Sequence, residues 1–333
     1  MNSKPNISSP LRWGLISTAR INRALIKPLR ASERNELLAV ASRSLEKAQG
    51  YAAEWDIPQA YGSYQAMLDA PEIDVVYNSL PNSLHTEWTV KALQAGKHVL
   101  CEKPLATTLE EIDAMRAAAR STGMNLAEAF MYRHHPQTLK VKELVDSGVI
   151  GDVRVIKGDF TFNIRDEGDV RLNPELGGGS IWDIGCYPIS YTRYILSKEP
   201  EEVFGWQLIG KSGVDEVFTG QLRFAGDVFA QFDSGFRSPY RSRIEIVGSE
   251  ATMVVPQPFI PGLDVEILIG KNGEFESIKM PRQELYLGEV EDLADAILSG
   301  TAPRISLEDS RGNVAVILAL LRSAERGMPV EIS

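Results

Sequence analysis

Leu11-Arg12-Trp13-Gly14-Leu15-Ile16, running straight into Ser17-Thr18-Ala19-Arg20-Ile21-Asn22, decides how this chain is read. A short apolar run ends in a turn of small residues, and residues 22–31 continue with helical periodicity. Strand, turn and helix in that order open a doubly wound parallel sheet. The same alternation continues to about residue 128. Strands are predicted at 37–41, 74–79, 98–101 and 125–127, and helices at 45–54, 84–95 and 109–121. Thr108 with Glu111 has the spacing of a capping box, while Gly96 and Gly123 read as helix stops.

After a linking helix over 136–146 the period changes to two. Val153 to Phe160 and Val217 to Phe224 alternate in the manner of antiparallel strands, with tight hairpin turns expected at Gly226-Asp227 and Asn272-Gly273. A helix begins near Ser180, and two more, over 284–298 and 307–326, close the chain. The fold class is therefore α/β followed by α+β: a doubly wound parallel sheet over 1–130, then a mostly antiparallel, open-faced sheet with helices on one face over 131–333.

Composition narrows the function. A length of 333 residues exceeds one ordinary core, and a formal charge of −10 argues against nucleic acid or an anionic membrane as partner. Residues 1–10 hold one lysine and no apolar run, so no signal peptide is read, and the longest apolar stretch, Val314 to Leu321, is too short to span a bilayer. A cytoplasmic protein is expected. Cys101 and Cys186 stand alone, each expected as a buried thiol. His134-His135 are adjacent and lack a third ligand nearby, so no metal is expected.

The turn Ser17, Thr18, Ala19, Arg20 and Ile21 lies where a dinucleotide fold places G-x-G-x-x-G, with Ser17, Ala19 and Asn22 at the three glycine positions. Small residues still admit a pyrophosphate to the helix N-terminus. After the second strand, Ala41-Ser42-Arg43-Ser44 offers no acid for a ribose 2′-hydroxyl, whereas Ser42, Arg43 and Lys47 suit a 2′-phosphate, so NADP is expected over NAD.

Two further stretches carry chemistry. Lys103 ends the run Gly96-Lys97-His98-Val99-Leu100-Cys101-Glu102-Lys103-Pro104, an apolar strand stopped by a proline that restricts it. Gly177-Gly178-Gly179 precedes Ser180-Ile181-Trp182-Asp183-Ile184-Gly185-Cys186-Tyr187, in which Asp183 and Tyr187, four apart, share one face of a helix. Carboxylate, phenol and ammonium make a proton-transfer set: Tyr187 as acid/base, Lys103 lowering its pKa, and Asp183 orienting the group or the substrate.

Glu102-Lys103-Pro104, Pro81-Asn82-Ser83-Leu84-His85, Glu128-Ala129-Phe130-Met131-Tyr132-Arg133 and the glycine run leading to Tyr187 together resemble the Gfo/Idh/MocA oxidoreductases. The tyrosine at 187 is similar to the branch with dihydrodiol dehydrogenase, D-xylose dehydrogenase and glucose-fructose oxidoreductase. The resemblance implies a Rossmann domain, a substrate-binding and oligomerisation domain, and an active site between them. It implies a cis proline after Lys103, Leu80, Asn82, His85 and Glu102 along the nicotinamide half, and a homodimer or homotetramer built through the C-terminal sheet. Glycine is usual in the family where Ser17 and Ala19 stand. Arg133, Arg165, Trp182 and Tyr187 are expected at the substrate, with Arg171 in the same polar loop as Arg165. The expected reaction is hydride transfer between a sugar or related alcohol and NADP, such as aldose to lactone. Its variants are reduction of a keto or dicarbonyl sugar and oxidation of a trans-dihydrodiol; the alternative of another class is a silent NADP-binding sensor.

Overall fold

The computed structural model describes residues 9–332, so the segment read for a signal peptide lies almost wholly outside the described residues. These residues divide into two compact units. In the first, β1 (Leu11–Ile16), α1 (Asn22–Ala31), β2 (Asn35–Ala41), α2 (Leu45–Glu54), β3 (Gln59–Tyr61), α3 (Tyr64–Leu68), β4 (Val75–Asn78), α4 (His85–Gln94), β5 (His98–Glu102), α5 (Leu109–Thr122) and β6 (Leu126–Ala129) follow one another. The strands form one parallel sheet in the order β3-β2-β1-β4-β5-β6. This is the doubly wound order whose strand ends collect ligands. The short β3 and α3, three and five residues long, escape the sequence reading because neither is long enough for a period to register.

The second unit contains α6 (Pro136–Asp146), β7 (Val153–Asn163), α7 (Cys186–Leu196), β8 (Glu202–Ile209), β9 (Asp215–Phe224), β10 (Val228–Gly235), β11 (Arg237–Gly248), β12 (Thr252–Val255), β13 (Glu266–Lys271) and β14 (Glu274–Lys279). The helix α8 (Leu287–Ser299) comes next, and α9 (Leu307–Arg326) and β15 (Val330–Glu331) end the chain. Nine strands run β14-β13-β12-β11-β7-β10-β9-β8-β15, antiparallel except for the β7–β10 pair. Both predicted hairpins form, with Gly226-Asp227 and Asn272-Gly273 at positive φ as tight primed turns require. One face carries helices: Gly158 of β7 lies so close to Pro188 of α7 that a Cβ there would stand 2.8 Å from the proline ring. The other face exposes Trp206, Leu208, Phe229 and Phe275.

One boundary differs from the expectation that all of 131–333 forms the second domain. Tyr286–Leu307 belongs to the first unit. Val290, Leu293 and Ala294 of α8 join Trp13, Leu15, Tyr77 and Leu100 in one apolar cluster, and Arg34 reaches Glu291 (2.8 Å) and Asp295 (2.5 Å). The returning helix has the same amphipathic pattern whichever sheet it covers, so its partner is not written in its own residues. No helix among the described residues is long and apolar enough to cross a membrane.

Candidate active site

In the first unit, the turn after β1 is held by its own side chains. Ser17 has φ +80°, the left-handed region that costs a non-glycine residue about 1 kcal/mol or more. Its hydroxyl accepts from the Ala19 N–H at 3.1 Å and lies 3.1 Å from the Ser79 hydroxyl, while its carbonyl accepts from Asn22 Nδ2 at 2.8 Å. The serine therefore takes the backbone shape for which glycine is usual and secures it with hydrogen bonds. Thr18, Ala19, Arg20 and Ile21 complete the bend into α1, whose first turn has no acidic residue. An anion fits that helix start.

The end of β2 is more divided. Ser42 is buried and its hydroxyl accepts from the Ser44 N–H, so it shapes the turn, and Ser44 caps α2 by accepting from the Lys47 N–H at 3.3 Å. Arg43 and Lys47 are exposed. Arg43 at this strand end, with no carboxylate before α2, fits a phosphorylated ribose, and Lys47 shares the first turn of α2 with Glu46.

At β4 and β5 the chain builds a rigid platform under Lys103. The peptide between Lys103 and Pro104 is cis, as the resemblance implied. Glu102 accepts from the Tyr77 hydroxyl and, at 3.3 Å, from the Lys103 N–H. Glu128, 2% exposed, accepts from the Leu105 N–H at 2.9 Å, tying the loop beyond the proline to β6. His85 departs from its expected part. Its two ring nitrogens meet the Pro104 carbonyl at 2.9 Å and the Leu80 carbonyl at 2.8 Å, and it is wholly buried. It is a clasp between the Leu80 and Pro104 loops rather than a group offered to a ligand, and burial lowers its pKa. Leu80 is likewise buried, whereas Asn82 stands at the start of a short 3₁₀ turn and is half-buried.

In the second unit, the expected α-helix over 180–187 is corrected in its register. Ile181–Gly185 form a π turn, and α7 starts only at Cys186. Asp183 lies in the π turn and Tyr187 in the first turn of α7. The Asp183 carboxylate accepts from Arg171 Nε at 2.7 Å, and this charge pair pushes the Arg171 pKa up. Arg171 also pairs with Asp169 at 3.3 Å and lies 5.9 Å from the centre of the Phe162 ring. Arg165, in the same loop, is exposed.

Tyr187 is fixed by aromatic neighbours. Its ring centre lies 5.3 Å from Phe160 edge-on, 5.5 Å from Phe259 and 5.6 Å from Tyr132, and Tyr191 stacks on Tyr132 at 5.7 Å. Such contacts lock ring orientation. The sequence reading missed this cage: Tyr191 follows Tyr187 at helical spacing, but Phe160 and Phe259 come from a distant strand and a loop.

One residue expected at a substrate is corrected. Arg133 is only 4% exposed and donates from Nη1 to Asp309 at 2.9 Å and Ser190 at 3.1 Å, over the ring of Tyr194. Asp309 also takes Arg193 at 3.0 Å, so Arg133 belongs to a buried ion cluster that anchors α9. Trp182 is 7% exposed, close to the 5% of Tyr187. Cys101 and Cys186 are buried thiols. Among the described residues no group of three or more His, Cys, Asp or Glu could hold a metal ion.

Residues 11–130 match the family described as an oxidoreductase family with an NAD-binding Rossmann fold, and residues 138–254 match the GFO/IDH/MocA C-terminal domain. The chain belongs to the Gfo/Idh/MocA oxidoreductases. Among its relatives, the D-xylose 1-dehydrogenase (NADP(+)) 2 of Haloferax volcanii is 35% identical over 97% of this chain and 100% of that protein. The 3-ketoreductase from Actinomadura kijaniata, solved with NADP and TDP-benzene, is similar with a TM-score of 0.90 and 32% identity, covering 94% of this chain and 98% of that one. The aldose-aldose oxidoreductase from Caulobacter crescentus, solved with glycerol, has a TM-score of 0.90 at 28% identity over 97% and 99%. This Gfo/Idh/MocA chain is thus an NAD(P)-dependent oxidoreductase with the two-sheet fold of its structural neighbours.

Proposed function

We propose that this oxidoreductase uses NADP to oxidise a sugar or related alcohol, aldose to lactone being the reaction favoured by its resemblance to the D-xylose dehydrogenase. The observation that carries the reading is the fixed pair of Asp183, clamped by Arg171, and Tyr187, caged by Phe160, Phe259 and Tyr132. Bound nicotinamide supplies the hydride acceptor. Tyr187 takes the hydroxyl proton as the C–H bond breaks, and Asp183 orients that hydroxyl. Lys103, held on the Glu102 and Pro104 platform, favours the deprotonated oxygen by its charge. With the proton returned by Tyr187, the same residues reduce a keto sugar. The likeness to the 3-ketoreductase supports that direction.

Arg171 replaces Arg133 as the arginine beside the substrate, and Arg165 extends the same loop. Arg43 and Lys47 receive the 2′-phosphate, and Ser17 to Ile21 the pyrophosphate. The exposed Trp206 and Phe229 on the open sheet face, flanked by the Arg241–Asp233 pair at 2.8 Å, support self-association there as a homodimer or homotetramer.

Purified protein mixed with NADP and a panel of aldoses, polyols and trans-dihydrodiols tests the reading through absorbance of the reduced cofactor. Turnover of an aldose is expected. Binding of NADP with no turnover in either direction would overturn it. Arg43→Ala is expected to lower the kcat/KM preference for NADP over NAD about tenfold, or ~1.4 kcal/mol; an unchanged preference removes Arg43 from the 2′-phosphate.

A further inference from the structure

A π turn is intrinsically poorer than an α turn and persists where something outside the helix holds it. Here the holding group is visible. Asp215, the first residue of β9 and 5% exposed, accepts from the Ser180 hydroxyl at 2.7 Å and from the Ile181 N–H at 2.8 Å, both on Oδ2. The Ser180 hydroxyl also lies 3.1 Å from that of Ser234 on β10, and both serines are fully buried.

The glycines before the turn fit the same anchor. Gly179 has φ +124°, and a Cβ there would stand 2.3 Å from Asp215 Oδ1. A Cβ on Gly178 would meet the Arg171 carbonyl at 2.5 Å, the same carbonyl that accepts from the Gly179 N–H at 2.9 Å. Glycine is therefore needed so that the backbone can press against Asp215 on one side and the Arg171 loop on the other. The Asp183 N–H, which donates to the Gly179 carbonyl at 3.0 Å, carries the constraint forward to the site.

We infer that Asp215, through Ser180 and Ser234, is a positioning residue that selects the π register of Ile181–Gly185 and thereby aims Asp183 and Tyr187. Without the anchor, the turn reverts to α spacing. One residue fewer in the wide turn then rotates α7 by about 100° against the glycine run before it, the angle of one residue on an α-helix. Asp183 would leave Arg171 or Tyr187 would leave its aromatic cage. Asp215 itself touches no reacting group in this scheme. The inference rests on the proposed parts of Asp183 and Tyr187, and its test separates the two.

The full chain is assayed with NADP and D-xylose as Asp215→Ala, Asp215→Asn, Ser180→Ala and, in parallel, Tyr187→Phe, and the Asp215→Ala variant is crystallised. Asp215→Ala is expected to lose at least tenfold in kcat with the KM for NADP within about twofold. Asp215→Asn, whose amide oxygen still accepts both bonds, is expected to stay within about threefold. The crystal structure should show 181–185 as α-helix with the Tyr187 ring displaced from Phe160 and Phe259. An Asp215→Ala structure that keeps the π turn and the Tyr187 position overturns the inference, as does a wild-type kcat in that variant. If Asp215→Ala does not fold, Ser180→Ala decides: a kcat reduced by threefold or more supports the anchor, and an unchanged one removes it. Full activity in Tyr187→Phe, or no wild-type turnover of any member of the substrate panel, would overturn the catalytic reading alone, since the crystal structure still judges the anchor.

Discussion

The two units present their chemical groups by different means. In the first, Lys103 and the Ser17 turn stand at the ends of parallel strands, where neighbouring strands and short local bonds fix them: Ser17 holds Ala19, Glu102 holds Lys103, and His85 clasps two adjoining loops. In the second, Asp183 and Tyr187 stand on a helix start whose register is imposed from outside by Asp215, Arg171 and aromatic rings from distant segments. The strand-end site follows from topology. The helix-start site depends on tertiary contacts that can fail one at a time.

Paired glycine substitutions sharpen that contrast most. Gly179→Ala combines a φ of +124° with an overlap against Asp215 and is expected to lower unfolding free energy by about 3 kcal/mol, together with kcat. Gly96→Ala, at φ +75° with nothing within 4 Å of the new Cβ, should cost about 1 kcal/mol and leave kcat unchanged. Equal losses in denaturant titrations of the two would break the comparison.

Charge gives the next effect. Burial pushes the Asp215 carboxyl up to about 6, against the pull of its bonds from Ser180 and Ile181. Its folded value lies above its unfolded value, near 3.9, so the folded state binds the extra proton and stability falls as pH rises between about 4 and 6. Asp215→Asn carries no such charge. Its Tm relative to wild type should therefore rise from pH 4 to pH 7, by the equivalent of roughly 2–3 kcal/mol. A constant Tm difference across that range would show that Asp215 ionises without cost.

The smallest expected effect lies in the first unit. Ser17→Gly should be more stable than Ser17→Ala by about 1 kcal/mol, because both lose the hydroxyl bonds but only alanine keeps the strain of φ +80°. Equal stability in thermal melts would mean that the turn relaxes its backbone.

These regions also differ in how much their residues disclose. The parallel sheet apart from β3 was legible because its strands are largely buried apolar runs and helix stops stand at Gly96 and Gly123. The tight hairpins at Gly226-Asp227 and Asn272-Gly273 were legible because two-residue turns demand those residues. Lys103 and its cis proline stood out by motif. The π turn did not, because no local pattern separates Ser180 to Tyr187 from an α-helix; its cause sits at Asp215 and Ser234. Arg133 was misplaced for the same reason: its partner Asp309 is far along the chain, and only the folded unit shows Nη1 of the arginine on that carboxylate. His85 is fit for a ligand by residue type, yet both its nitrogens face backbone carbonyls.

The central claim is that Tyr187 moves the proton in an NADP-dependent oxidation of a sugar hydroxyl. The most direct measurement is kcat for Tyr187→Phe, which keeps the aromatic cage and removes only the hydroxyl, with NADP and an aldose that the wild type turns over. A fall of at least about a hundredfold, with NADP binding retained, is the predicted result, in keeping with the usual worth of a general acid/base. A rate within a few-fold of wild type would contradict the account.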